Sequence, residues 1–298
     1  MRSSLEVIRT GALVLVQDEG RPGLAAVGVG RSGAADRGAH RLGARLVGHP
    51  PDRASLEVLL GGLAVRAHGR LTVALTGAPA LATVDGRPVA HAALVELPDG
   101  AVLELGMPSA GVRTYLTVRG GIAVPPVLGS RSTDTLSGVG PPPVRAGEVL
   151  PVGDPGEDFP RVDHVALPTH RLGPGGSSQA LEVMTGPRAD WVGGWATGLG
   201  GLLGATWQVS GDSDRVGLRL RGSRVERVPE WRHRELPTEG MVRGGVQVPP
   251  DGGPVVFLAD HPVTGGYPVI AVLTASACDR AAQLRPGDAV LLTRAPRA

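Results

Sequence analysis

Apolar and polar residues alternate along this chain in many short runs. Leu5 to Val16 reads as a strand interrupted at Thr10 and Gly11, and Gln17 to Gly23 reads as a turn. Past the glycine-spaced stretch Val27–Gly33, Asp36 sits where a helix N-cap belongs. Ala39, Leu42, Gly43, Leu46 and Val47 then follow at helical spacing until Gly48. Further β-like runs cover Ser55–Leu60, Leu63–Ala67, Leu71–Thr76, Leu94–Leu97, Ala101–Leu105 and Thr114–Val118. Periodicity fades from Gly153 to Gln179. It resumes in Leu181–Thr185, Thr206–Ser210, Val216–Leu220, Gly245–Pro249, Val255–Leu258 and Val269–Leu273, with a short helix expected over Ser276–Leu284.

This pattern predicts an all-β protein with few short helices, built as a barrel or sandwich. The expected organisation is an N-terminal domain over 1–155, a linker or crossover over 156–179 and a C-terminal domain over 180–298. The segments Arg145–Leu150 and Arg285–Leu291 are similar and stand near the two domain ends, which raises the expectation of two related β-barrel units. The 46 Gly and 27 Pro, about a quarter of 298 residues, strengthen the β reading because they leave no room for long helices.

Composition narrows the chemistry. All 30 basic residues are arginine, and the chain has no Lys and no Asn. Without an ε-amine there is no P-loop, no Schiff base and no biotin attachment on this chain. The net charge is only +2 and the arginines are dispersed, so no nucleic-acid footprint is expected. Its eight aromatics offer little for base stacking. The single Cys278 excludes an internal disulfide and is read as a buried apolar residue. The apolar run Ala12–Val16 is too short for a membrane span or a signal core, so a cytoplasmic location is expected. No metal site is expected, because no HExxH is present and the eight His are scattered.

Candidate chemistry lies in four clusters, each with an ordinary structural use as well. Gln17, Asp18, Glu19 and Arg21 place an amide, two carboxylates and a guanidinium in one turn, fit to bind a small polar substrate or activate water, or to form a local ion pair. Ser130, Arg131, Ser132 and Thr133 form a hydroxyl-rich loop whose arginine suits a carboxylate or phosphate. Asp214 and Arg215 read as a structural pair. Finally, a strand carrying Gln247 stands to face the loop Gly265-Gly266-Tyr267, whose amides suit an oxyanion and whose phenol suits a hydrogen bond.

Eleven short stretches in order carry a family resemblance. They are Gln17-Asp-Glu-Gly-Arg-Pro-Gly23, Ser32-Gly-Ala-Ala-Asp36, Leu46-Val-Gly48, Leu56-Glu57, Thr76-Gly-Ala78, Arg119-Gly-Gly-Ile122, Leu128-Gly-Ser-Arg-Ser-Thr-Asp134, Gly186-Pro187, Ser213-Asp-Arg215, Gln247-Val-Pro-Pro-Asp-Gly252 and Thr264-Gly-Gly-Tyr-Pro268. On these the chain resembles the KipA-like family, also called allophanate hydrolase subunit 2 or biotin-dependent carboxyltransferase family proteins, and most closely the members that serve as the C component of 5-oxoprolinase.

The resemblance implies two cyclophilin-like β-barrel domains. It implies action with a KipI-like partner and a YcsF-like partner, the B and A components, which together with it open 5-oxo-L-proline to L-glutamate with ATP, Mg2+ and water. This chain is expected to be inactive alone, and the nucleotide could sit on a partner. Two other readings stay open: a regulatory protein binding a KipI-type sensor-kinase inhibitor, and a carboxyltransferase component acting on urea-like amides. Under the resemblance, Arg21, Arg131 and Arg215 are the candidate anion anchors and Asp18, Asp36 and Asp260 the candidate acids. The catalytic set is thus Asp18, Arg21, Asp36, Arg215 and Gln247. The substrate-binding set is Gln17, Ser130, Arg131, Ser132, Thr133, Gly265, Gly266 and Tyr267. The sequence departs from the family at Ala44 and His49, where Asn is usual, at His261-Pro262, where Arg-Gln is common, and at Val269, often Lys. These departures leave the substrate open between 5-oxoproline and another amide.

Overall fold

A computed structural model describes residues 3–157, 160–166, 178–232 and 234–296. The chain divides into two compact units, Met1–Pro22 with Ser32–Leu172, and Gly23–Arg31 with Gly173–Ala298.

The first unit holds β1 (Ser4–Arg9), β2 (Leu13–Gln17), α1 (Arg37–Val47), β3 (Ser55–Leu59), β4 (Ala64–His68), β5 (Leu71–Gly77), β6 (Ala80–Val84), β7 (Arg87–Val89), β8 (Leu94–Leu97), β9 (Val102–Pro108), β10 (Arg113–Val118) and β11 (Val149–Pro151). They form two sheets, ordered β11-β1-β4-β9-β6-β7 and β2-β3-β10-β5-β8. Alternation places Leu5 and Val7 of β1 inside while Glu6 and Ile8 point outward. These join Val14, Leu56, Val65, Leu103, Leu116 and Val118 in one apolar core.

Strand β10 is buried along its whole length, and its two faces are buried for different reasons. Leu116 and Val118 face the core, whereas Tyr115 packs with Ala34 and Ala39 around the start of α1. Close approach of the helix needs Gly43, where a Cβ would come within 2.3 Å of Thr117 Oγ1. The helix starts and stops as its sequence dictates. The Asp36 side chain accepts from Ala39 N–H, and Gly48 ends the helix in the left-handed region at φ 73°.

The second unit holds β12 (Gln179–Thr185), β13 (Thr206–Val209), β14 (Gly217–Arg221), β15 (Glu239–Gly240), β16 (Gly245–Gln247), β17 (Val255–Phe257), β18 (Thr264–Gly265), β19 (Val269–Leu273), α2 (Ala275–Ala281) and β20 (Ala289–Arg294). Seven strands close a barrel in the order β12-β19-β16-β17-β14-β13-β20, and β15 pairs with β18 as a separate ribbon. The ring closes through a parallel pairing of β12 with β20. Trp207, Val246, Ile270, Val290 and Leu292 fill its interior with Cys278, and the Trp207 indole donates to Leu202 O at 3.1 Å.

The chain is thus all-β with short helices. Three features differ from the sequence pattern. A hairpin, β6–β7, turns at Asp85-Gly86 where the pattern predicts no strand, because its outward residue Leu81 is apolar and 88% exposed, which hides the alternation. The similar segments near residues 145 and 285 each lead into the strand beside their unit's first strand. That pairing is antiparallel for β11–β1 and parallel for β20–β12. Of the expected linker, residues 158–159 and 167–177 lie outside the described residues. Within it, Leu94 N–H donates to Asp163 O and Val165 N–H to Ala92 O, so this part belongs to the first unit's fold. Among the described residues no helix is long and apolar enough to cross a membrane.

Candidate functional site

Three loops of the first unit meet where β2 ends. After Gln17 the chain turns through Asp18, whose Oδ1 accepts from Gly20 N–H at 2.8 Å. Against it lies the loop 32–36, with Ser32 at φ 54° and Gly33 at φ 96°. A Cβ on Gly33 would come within 2.8 Å of Gly20 N and 3.0 Å of Asp18 O. Only glycine lets these backbones touch, and Ala34 N–H then reaches Asp18 O at 2.9 Å. The third loop enters through the turn Val127–Ser130, where Leu128 (φ 51°) and Gly129 (φ 80°) are both left-handed. Reciprocal backbone bonds of 2.8 and 3.2 Å between Val127 and Ser130 close a turn of the I′ kind.

Asp18 ties these loops together. Its carboxylate accepts from Ser130 Oγ and Ser132 Oγ, both at 2.6 Å on Oδ1, and from Arg131 N–H at 2.6 Å on Oδ2. With Gly20 that makes four donors on one carboxylate, close to its capacity. Asp18 N–H in turn donates to Ser132 Oγ at 3.0 Å. The geometry therefore uses this acid to hold the serine loop in place, and the two hydroxyls are committed to it.

Beside this knot lie two side chains with unspent polar atoms. Gln17 is fully buried; its Nε2 donates to Thr133 O at 2.8 Å, while its Oε1 has no partner among the described residues. Arg21 is only 2% exposed, and its Nη2 donates to Ser132 O. Among the described residues its Nε and Nη1 have no acceptor. Gly140 packs against the same carbonyl, where a Cβ would collide with Ser132 O and lie 3.1 Å from Arg21 Nη2.

A second buried network runs behind. Tyr115 donates to Glu57 Oε2 at 2.7 Å, Ala35 N–H donates to the same oxygen at 3.0 Å, and Asp36 N–H donates to the Tyr115 oxygen at 2.8 Å. Arg113 Nε lies 3.3 Å from Glu57 Oε1. Burial, and then the charge of Glu57, push the Tyr115 phenol well above its ordinary value. His40 sits nearby with Nε2 on Pro51 O and Nδ1 on Ser55 Oγ, both 2.8 Å, and burial lowers its pKa. Sequence reasoning missed the Glu57–Tyr115–Arg113 network. The available signal was one glutamate inside the otherwise apolar run Ser55–Leu59.

The other expected residues fall as follows. Asp36 caps α1. Arg131 is half-buried and donates from Nε to Val124 O at 2.7 Å. Thr133 donates to Pro141 O at 2.9 Å. In the second unit, Arg215 and Asp260 form a buried two-point ion pair, Nε–Oδ2 at 2.8 Å and Nη2–Oδ1 at 3.0 Å. The end of β16 does meet the Gly-Gly loop, since Val248 N–H donates to Pro268 O at 3.1 Å. There Gly265 pairs with Glu239, while Gly266 and Tyr267 are exposed. Gln247 lies opposite Val255 and Val269. Among the departures, His261 Nδ1 faces Pro262 O and its ring packs on Phe257, and His49 lies between Pro50 O and Val118 O. Among the described residues no three His, Cys, Asp or Glu side chains gather as a cation site.

The fold is that of a carboxyltransferase-type domain: residues 27–294 match the family described as carboxyltransferase domain, subdomain A and B. The chain belongs to that family. It is 36% identical to the C component of the 5-oxoprolinase of Escherichia coli over 292 residues, 96% of this chain and 89% of the relative. It is also 30% identical to the urea amidolyase of Saccharomyces cerevisiae over 97% of this chain, which is 16% of that much longer protein. The solved urea carboxylase of Kluyveromyces lactis superposes with a TM-score of 0.85 at 27% identity, covering 99% of this chain and 28% of that one.

Proposed function

We propose that this chain is the substrate-anchoring C component of a 5-oxoprolinase, acting with a KipI-like partner and a YcsF-like partner in the ATP-dependent hydrolysis of 5-oxo-L-proline to L-glutamate. The observation that supports it most is Arg21. A guanidinium 2% exposed, with one backbone acceptor and two nitrogens unspent, has no carboxylate paired with it among the described residues, and a buried cation needs one. A substrate carboxylate supplies that charge. 5-Oxoproline carries one, and a chain with the 5-oxoprolinase relative described above has reason to bind it.

In this reading water adds to the lactam carbonyl, the ring C–N bond breaks, and the nitrogen leaves as the amine of glutamate. Arg21 holds the carboxylate, Gln17 lines the same place, and Asp18 fixes the loop that carries Ser130, Arg131, Ser132 and Thr133. Arg215 is set aside as an anchor because Asp260 already neutralises it. Asp36, Gln247, Gly265, Gly266 and Tyr267 are assigned no step. The described residues offer no lysine and no acidic cluster for a magnesium nucleotide, so ATP and Mg2+ are assigned to the two partners and no step is routed through them. A cytoplasmic location belongs to the same proposal.

A second reading, carboxyl transfer to a urea-like amide from a biotin carried elsewhere, is favoured by the urea amidolyase relative. Glutamate release from 5-oxoproline and ATP decides between them, measured with this chain alone, with the KipI-like partner, and with both partners together. The expected result is activity only in the full mixture, reduced at least about 100-fold by Arg21→Ala with assembly intact. No glutamate in any mixture, with urea-dependent turnover of carboxybiotin instead, would establish the second reading.

A further inference from the structure

The unspent atoms beside the Asp18 knot have a definite polarity. Gln17 Nε2 is fixed as the donor to Thr133 O, because a carbonyl accepts only, and that places Oε1 as the remaining amide atom. Among the described residues no donor reaches the buried Oε1, and no acceptor reaches the buried Arg21 Nε and Nη1. The two side chains do not satisfy one another. They are gripped by the carbonyls of consecutive residues, Arg21 by Ser132 and Gln17 by Thr133. The neighbouring hydroxyls of Ser130 and Ser132 are committed to Asp18. What this place still asks for is therefore one N–H donor together with a negative charge. Buried polar atoms are rarely left unpaired in folded proteins, and a ligand matching both is held by groups that cost free energy when empty.

We infer that Gln17 is the specificity-determining residue of this site: its amide oxygen accepts the N–H of a substrate whose carboxylate lies on Arg21, so the site selects secondary lactams and amides bearing a carboxylate on the carbon next to nitrogen. The inference rests on the reading of Arg21 as the substrate anchor and adds to it the group beside the charge. A urea-like amide brings the N–H without the charge. A simple dicarboxylate brings the charge without the N–H. 5-Oxoproline brings both, on adjacent atoms of one ring. A site that hydrogen-bonds a substrate N–H rejects the analogue lacking it, because the acceptor is then stranded.

The test uses the complex of this chain with its KipI-like and YcsF-like partners and compares 5-oxo-L-proline with 3-oxocyclopentanecarboxylate, which has CH2 in place of N–H, and with 2-pyrrolidinone, which lacks the carboxylate. Affinities come from calorimetry and turnover from glutamate release. The wild-type complex is expected to bind the carbocyclic analogue about 10- to 100-fold more weakly than 5-oxoproline, and 2-pyrrolidinone more weakly still. In Gln17→Ala the gap between lactam and carbocycle should close to within about twofold. Gln17→Met, which keeps the length of the side chain, serves as the second variant if Gln17→Ala fails to assemble. Arg21→Ala should remove the dependence on the carboxylate and leave the N–H preference in place. If glutamate is released normally but the gap is the same in wild type and both Gln17 variants, this inference falls while the 5-oxoprolinase reading stands. If no compound binds in any mixture, both fall.

Discussion

The Tyr115 hydroxyl donates to Glu57 Oε2 at 2.7 Å and accepts from Asp36 N–H at 2.8 Å, so one phenol fastens the start of α1 to two adjacent strands of the sheet beneath it. Removing the oxygen takes one donor from the buried Glu57 carboxylate, which keeps Ala35 N–H and Arg113, and an acceptor from the buried Asp36 amide. Tyr115→Phe should therefore lower unfolding free energy by about 1–3 kcal/mol, read as a shift in the urea midpoint at constant slope. A change below about 0.5 kcal/mol would show that the network is not holding the helix.

Asp18 should behave as a structural acid. Replacing it with Ala leaves Ser130 Oγ, Ser132 Oγ and two backbone N–H groups without their acceptor. The expected loss is about 3 kcal/mol or more, with faster proteolysis between residues 125 and 141. Stability equal to wild type with activity alone abolished would assign Asp18 to the chemistry instead.

Arg215 and Asp260 test the opposite case, a buried charge that already has its counter-charge. Asp260→Ala takes the carboxylate away from a buried guanidinium and should cost about 3–5 kcal/mol, whereas exchanging both residues for apolar ones of similar volume should cost much less. Chemical denaturation of the two single variants and the double variant measures the coupling. Additive effects would overturn it.

Acid should weaken this protein before its carboxylates titrate. Burial lowers the pKa of His40 and His49 below the ordinary 6.5. The unfolded chain therefore binds more protons than the folded one once the pH drops past that value. Their contribution is complete above pH 6.5 and is lost as the pH falls from there toward the folded values. Each group can add a slope of up to about 1.4 kcal/mol per pH unit in that window. Urea midpoints measured from pH 8 to pH 5 should fall below pH 6.5, and His49→Asn, the residue usual in the family, should flatten the fall. A flat profile in the wild type would rule the histidines out.

Much of the architecture was legible because local rules and tertiary needs agree. Asp36 and Gly48 mark the two ends of a helix, and both caps form. The break at Thr10-Gly11 separates two strands that join different sheets. The candidate site was legible only in pieces. Gln17, Asp18 and Arg21 were marked by their turn, and Ser130 to Thr133 by their hydroxyls, yet 116 positions separate Gln17 from the Thr133 carbonyl it holds. No spacing rule announces that Asp18 would be consumed by the serines, or that Arg21 would keep two nitrogens unspent. The hairpin at Asp85-Gly86 escaped notice because Leu81 faces outward. Glu57 and Tyr115 escaped because each sits in a run that reads as an ordinary strand.

The parallel seam of the second unit's barrel has a consequence for biosynthesis. Strand β20, the last in sequence among the seven, lies between β12, the first, and β13. Until Ala289–Arg294 arrives, a growing chain holds an open sheet with two unpaired edges, one on each side of the gap. Such edges recruit other strands. The nascent barrel is therefore at its most aggregation-prone just before those six residues emerge from the ribosome, and their loss would leave it there for good.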